Sequence, residues 1–294
     1  MSSPLIAAKI RKIQIKTTHL VEDLMAGIYS SAFKGRGVEV EEVREYQQGD
    51  DIRAIDWKVT ARMREPYLKV FREERDLTLF LVVDGSASLN FGTKTVLNRD
   101  LVAEIGAVLS FSALKNHDRV GMIQFTDKVN LFVPPKKGTR HVLRIIRELV
   151  TPNEHGTGAF TNLESALDLL GKVQSKRAIC FILSDFRTKP CEKQIKLLAR
   201  KHDLIGVLIS DPGELSPPQE GLWNLRNPET GDTQLVDLGN STFRQQLEAQ
   251  QRNRLENTEK LFRSSGADFI HIQNDDSYAK TLRQFFRSRS VRRK

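Results

Sequence analysis

Leu77-Thr78-Leu79-Phe80-Leu81-Val82-Val83-Asp84-Gly85-Ser86-Ala87-Ser88 is an apolar run that ends abruptly in one carboxylate and two hydroxyls. A continuous apolar segment of this length, lacking the alternation of a half-exposed strand, suits a central strand covered on both faces of a sheet. Ligands of such sheets gather at the carboxyl ends of the strands, where Asp84 falls. One Asp followed at alternate positions by Ser86 and Ser88 offers hard oxygen donors of low charge, a set suited to Mg²⁺ rather than to zinc or copper. The same Asp-x-Ser-x-Ser pattern also caps a turn into a helix, and taken alone it leaves both readings open.

Two later stretches bear on that choice. In Gly158-Ala159-Phe160-Thr161-Asn162-Leu163, a Gly-bearing loop delivers Thr161 to the start of an apolar-periodic helix, either to offer its hydroxyl to a site above the sheet or to act as the N-cap. In Ala178-Ile179-Cys180-Phe181-Ile182-Leu183-Ser184-Asp185, a second buried strand ends in a carboxylate, which falls beside Asp84 if the two strands are neighbours. The order of these groups resembles the metal-ion-dependent adhesion site of the von Willebrand factor A fold, matched at Asp84, Ser86, Ser88, Thr161 and Asp185. The resemblance implies Mg²⁺ (or Mn²⁺) as the cofactor, with Asp185 contributing directly or through water and an open position for an acidic residue of a partner.

The chain has 294 residues, 39% of them hydrophobic, enough for one large domain with an addition. No stretch approaches the roughly 18 apolar residues that span a bilayer, and no apolar signal core precedes a cleavage site, so a cytoplasmic protein is expected. With only two cysteines, Cys180 and Cys191, neither a disulfide framework nor a cysteine zinc site is available. The net charge of +9 invites a nucleic-acid reading, but Arg283, Arg287, Arg289, Arg292, Arg293 and Lys294 account for most of the excess. A basic tail over 287–294, without a helix-turn-helix, zinc finger or aromatic ribonucleoprotein pattern, argues against nucleic acid as the partner.

Along the chain, Leu5 to Ser31 carries apolar residues at near-helical spacing, and Val38 to Tyr46 alternates as an edge strand does. Val38, Val40, Val43, Tyr46, Ile52, Ile55 and Trp57 would give the segment from Gly35 to Asp76 apolar surface to bury as a small accessory unit, with Trp57 as an anchor. From Leu77 onward strands alternate with helices at Val96–Lys115, Thr139–Leu149, Glu192–Lys201 and Phe243–Arg263. A hairpin lies around Thr126-Asp127 and an inserted hairpin between 211 and 239. This alternation predicts an α/β fold, a doubly wound and mostly parallel sheet with helices on both faces. The expected organisation is an N-terminal helical and accessory segment over 1–76, the sheet domain over 77–286, and the tail.

Gly35-Arg36-Gly37, Glu41-Glu42-Val43-Arg44-Glu45-Tyr46, Gly49-Asp50-Asp51-Ile52-Arg53, Ile55-Asp56-Trp57, Thr60-Ala61-Arg62 and Phe71-Arg72-Glu73-Glu74-Arg75-Asp76 together resemble the signature of bacterial domain of unknown function family 58. That resemblance covers roughly Gly35 to Ile272. It implies a von Willebrand factor A-like protein that accompanies a MoxR-type AAA+ ATPase, acting as its adaptor in chaperone-like maturation of client proteins. Some relatives are membrane-anchored ahead of the signature, where this chain has the basic amphipathic segment Leu5 to Ser31, so a soluble protein is expected.

The competing class is a Mg²⁺-dependent phosphohydrolase with Asp84 as nucleophile. Haloacid-dehalogenase-like phosphatases carry a second Asp two residues after the nucleophile as acid and base. Ser86 stands there instead and cannot do that work near neutral pH. A phosphate loop is absent, since no Gly-x-x-x-x-Gly-Lys-Ser/Thr run occurs. The six histidines show no metal-ligand spacing.

Overall fold

A computed structural model describes residues 3–25, 39–63, 65–72, 77–93, 96–151, 161–215, 220–226, 231–275 and 278–292. In chain order the first elements are α1 (Ser3–Met25), β1 (Glu39–Glu45), α2 (Trp57–Met63), β2 (Tyr67–Arg72), β3 (Thr78–Asp84), α3 (Asn98–Lys115), β4 (Arg119–Phe125) and β5 (Val129–Lys136). They are followed by α4 (Thr139–Val150), α5 (Leu163–Val173), β6 (Ile179–Ser184), α6 (Glu192–Lys201), β7 (Asp203–Ser210), β8 (Leu222–Arg226), β9 (Thr233–Asp237), α7 (Ser241–Ser264), β10 (Asp268–Gln273) and α8 (Tyr278–Arg292). The chain divides into two compact units, Lys34–Leu77 and the remainder. Helix α1 therefore belongs with the sheet, which differs from the expected division at residue 76.

Six strands form the central sheet in the order β10-β7-β6-β3-β4-β5, all parallel except β5, which pairs antiparallel with β4. Strand β3 sits inside, between β4 and β6, and its side chains alternate between two buried faces. Phe80 and Val82 join Ile123, Phe125, Cys180 and Ile182 in a core closed by Leu163, Leu167 and Leu170 of α5, Ile195 and Leu198 of α6, and Phe262 of α7. On the other face α3 packs with α1 and α4, and Phe181 meets Phe286 of α8 at a ring separation of 6.4 Å. This two-sided burial explains the unbroken apolar runs of β3 and β6, each core side chain contributing about 1.5–3 kcal/mol. Gly206 in β7 is required by the same packing, since a Cβ there would lie 2.7 Å from the Phe262 ring.

Helix α1 packs against α3 and α4. Ile13, Thr17 and Val21 recur every four residues and are buried, while Lys9 forms an ion pair with Asp100 of α3 at 2.5 Å.

Within the smaller unit, β1 and β2 pair antiparallel and Leu68 is buried. Arg44 grips Asp50 through both carboxylate oxygens, at 2.8 and 2.7 Å, and Asp51 and Asp56 each accept a backbone N–H two residues on. Ile52 and Trp57, expected to be buried with Trp57 as anchor, are instead 64% and 69% exposed. The charged clamps hold this segment together without them. Val38 and the Gly35-Arg36-Gly37 turn lie outside the described residues, as does the loop from 152 to 160 that precedes Thr161.

The expected basic tail is also corrected. Helix α8 continues to Arg292, and Arg289 is 2% exposed, its guanidinium paired with Asp203 at 2.6 Å and with Asp268. Those two acids begin β7 and β10, so one arginine ties the last helix to the amino ends of two neighbouring strands. Arg289→Ala leaves both carboxylates without it and is expected to cost about 3 kcal/mol in urea unfolding, whereas Arg287→Ala, at an exposed position, stays within about 0.5 kcal/mol.

Candidate functional site

Strands β3 and β6 are hydrogen-bonded neighbours, paired from Leu79 with Ile179 to Val83 with Leu183. Their carboxyl ends therefore bring Asp84 and the Ser184-Asp185 pair to one edge of the sheet. Connections leave this edge in opposite directions, the β3 chain toward α3 and the β6 chain toward α6 on the other face. That reversal opens the crevice in which doubly wound sheets bind ligands.

Asp84 is buried and held by neutral donors. Its Oδ1 accepts the Ser86 N–H at 2.8 Å, and its Oδ2 accepts the Ser184 hydroxyl at 2.5 Å. Ser184 Oγ in turn accepts the Phe186 N–H at 2.9 Å. Burial, then the adjacent charge of Asp185, pushes the Asp84 carboxyl up to about 7, against the lowering effect of the hydrogen bonds from Ser184 and Ser86. Asp185 is just as buried but better supplied, accepting the Arg187 N–H at 3.1 Å and facing Arg187 Nε at 3.4 Å.

The hydroxyls separate the capping reading from the ligand reading. Ser86 and Ser88 are buried, their Oγ atoms 2.9 Å apart, and Ser86 makes no side-chain cap to the 3₁₀ turn Ala87–Asn90 that follows it. Helix α5 is capped by Asn162, whose Oδ1 accepts the Ser165 N–H at 3.2 Å, and not by Thr161. Thr161 is 6% exposed and its Oγ1 has no hydrogen-bond partner among the described residues. Its backbone is fixed nonetheless. Thr161 O accepts the Thr188 hydroxyl at 2.7 Å, and the next residue, Asn162, donates its N–H to Thr126 O at 2.7 Å. A buried hydroxyl left unpaired costs about 1–3 kcal/mol, so this orphan marks a place where an outside oxygen-seeking group fits.

Four of the five expected residues are thus joined by direct interactions or close charge, namely Asp84, Ser86, Ser88 and Asp185. Among the described residues no hydrogen bond joins Thr161 to them. It lines an open groove of about 1270 Å³ with Arg187, Phe186 and Arg254, while Asp84 and Ser86 border a cavity of about 40 Å³ beside Lys9, Arg99 and Gln124. Among the described residues no group of three or more His, Cys, Asp or Glu is placed so that it could hold a metal ion by itself. The donor set is accordingly two carboxylates and three hydroxyls, which fits a hard dication and not zinc.

Three supporting residues escaped the sequence reading. Ser184 is the hydroxyl that holds Asp84. Phe186 has a φ of 53°, a left-handed conformation costly to a bulky residue, stabilised by edge-on packing of its ring against Phe262 at 5.3 Å. Glu214, in the single turn Pro212–Leu215 after β7, receives Arg187 at 2.7 Å and Arg254 at 3.0 Å. Only the residue after Asp185 offered a clue, since an aromatic directly after a strand end is a candidate anchor.

With this geometry in hand, comparison with known proteins is informative. Residues 42–257 match the family described as protein of unknown function DUF58, and the chain belongs to that family. An uncharacterized protein of Mycobacterium tuberculosis, Rv1480, is 27% identical over 291 residues, spanning 98% of this chain and 91% of that protein. Among solved structures, conserved hypothetical protein BatB from Bacteroides thetaiotaomicron aligns with a TM-score of 0.46 at 13% identity over 74% of this chain and 99% of that one. The VWA domain of SpRpn10 aligns with a TM-score of 0.39 at 13% identity over 71% of this chain and 94% of that one. Among the described residues no helix is long and apolar enough to cross a membrane.

The crowding of Asp84 and Asp185 has a measurable consequence. In chelator at pH 8, Asp84→Asn removes one buried charge and keeps the shape, so the melting temperature is expected to rise by a few degrees, at roughly 2–4 °C per kcal/mol. A fall in thermal scanning would show that the carboxylate is not under electrostatic stress.

Proposed function

We propose that this protein is a metal-dependent protein-binding module. On this reading Asp84, Ser86, Ser88 and Thr161 hold Mg²⁺ or Mn²⁺, Asp185 contributes directly or through water, and a partner presents an acidic side chain to the ion. The observation that carries the reading is the pair of buried carboxylates, Asp84 and Asp185, crowded at neighbouring strand ends with the buried Ser86 and Ser88 hydroxyls in the Asp84 loop. The ion would supply positive charge and an attraction for a partner's carboxylate. The chain's own residues do the rest. Ser184 and the Ser86 N–H orient Asp84, the Asn162 cap and the Thr188 hydroxyl fix the Thr161 backbone, and Phe186 turns the chain immediately after Asp185.

We further propose that the partner is a MoxR-type AAA+ ATPase, with this protein as its cytoplasmic adaptor toward a client. Family membership supports the ATPase, and two buried free thiols support a reducing compartment. Burial raises the Cys191 thiol to about 11 and the Cys180 thiol higher still, so neither is reactive. A hydrolytic role for Asp84 draws no support from its surroundings. Ser86, two residues on, offers no acid or base.

The test is thermal stability of metal-stripped protein with and without millimolar Mg²⁺. Mg²⁺ is expected to raise the melting temperature, because it binds the folded state alone. Thr161→Val removes only the orphan hydroxyl. It should leave the metal-free protein as stable or about 1 kcal/mol more stable while removing most of the Mg²⁺ response. An unchanged wild-type melting temperature, or turnover of a phosphate ester abolished by Asp84→Asn, would overturn the reading.

A further inference from the structure

Arg187 stands between the buried acids and the open groove. Its Nε faces Asp185 Oδ2 at 3.4 Å and its terminal nitrogen donates to Glu214 Oε2 at 2.7 Å, while 37% of its side chain remains exposed along the groove that Thr161 also lines. Glu214 is 5% exposed and draws on three further elements. It receives Arg254 of α7 at 3.0 Å, Asn98 Nδ2 of α3 at 3.4 Å and the Asp211 N–H at 3.2 Å. Arg254 also reaches the Asp185 carbonyl at 3.2 Å. The result is a cross-braced network in which one carboxylate, Glu214, fixes the guanidinium that neutralises another, Asp185.

The charge balance of this cluster is simple. With Asp84 ionised, Asp84, Asp185 and Glu214 face Arg187 and Arg254, so one negative charge is left over. Of the two guanidiniums, Arg254 is the more buried and its second contact is a carbonyl, so it serves the frame. Arg187 touches the Asp185 carboxylate itself and lies within reach of solvent. A cation entering beside Asp185 therefore meets a positive charge already in place.

We infer that Arg187 is an internal counter-cation that competes with the metal for Asp185 and thereby weakens metal affinity, and that Glu214 is the positioning residue that holds it there. This inference rests on the metal-binding reading above. Once a dication shares Asp185, the Arg187 guanidinium remains held by Glu214 at the rim of the groove, where a planar, two-pronged donor suits a second hydrogen bond to the partner's acidic group.

Titration calorimetry with Mn²⁺ and with Mg²⁺ alone tests this, with far-ultraviolet circular dichroism to confirm folding. Arg187→Gln is expected to tighten metal binding by about three- to tenfold, because a unit charge close to a ligand carboxylate is removed. Glu214→Gln should act oppositely, weakening binding by a similar factor, because the cluster loses a negative charge and Arg187 leans on Asp185 alone. A merely structural network would weaken binding in both variants. Arg187→Lys keeps the charge without the fork and should lie near wild type. Absence of any heat with wild-type protein would remove the metal reading itself. Wild-type binding with Arg187→Gln equal or weaker would overturn this inference and leave the metal reading standing.

Discussion

Asp84 and Asp185 are two carboxylates buried at the ends of adjacent parallel strands, and the arrangement around them follows from the cost of keeping both there. Like charges in a poorly solvated site repel strongly unless each finds compensation. The compensation here is unequal. Asp185 has a guanidinium, and Asp84 has only neutral donors, so burial and its neighbour raise the Asp84 carboxyl to about 7. The hydroxyls of Ser86 and Ser88, hydrogen-bonded to each other, lie in the Asp84 loop.

The topology makes this proximity unavoidable. In a doubly wound sheet the strands that flank the reversal point their carboxyl ends at the same crevice, and β3 and β6 are those strands. Each must then turn away sharply. After β3 the Gly85 N–H bonds back to Phe125 O at 2.8 Å, and after β6 Phe186 takes up its left-handed conformation. Phe262 of α7 fixes the second turn by its ring contact with Phe186, so a core residue far along the chain holds the geometry beside Asp185. Stability of the core and precision of the site are in this sense the same packing problem.

What could be read from the sequence follows the same physics. Strands β3 and β6, helix α6 and strand β7 were legible almost to the residue, because burial on both faces leaves long apolar runs and abrupt polar ends. The metal-type residue pattern was legible as an order, and four of its five members do meet. Strand β2 was not, since Tyr67–Arg72 mixes cations with apolar residues and so lacks the unbroken apolar run of β3 and β6. Arg289 read as part of a solvated tail because its partners, Asp203 and Asp268, lie 86 and 21 residues away in sequence. The Glu214 network was invisible for the same reason. Trp57 misled for the opposite one, a large aromatic being normally an anchor and here lying exposed.

The charge pattern also separates binding from hydrolysis as readings of Asp84. A nucleophilic carboxylate needs an ionised oxygen aimed at open space, with an acid or base nearby to move a proton. Two residues after Asp84 stands Ser86, which supplies neither acid nor base, and burial destabilises the charged form of Asp84. On the proposed reading, a dication reverses the sign of the cluster formed by Asp84, Asp185, Glu214, Arg187 and Arg254, from one net negative charge to one net positive charge. An acidic group on a partner is repelled by the first state and attracted by the second. Recognition would then depend on the ion through electrostatics alone, with no movement of the fold required, because the same buried carboxylates that strain the metal-free protein are those that the ion relieves.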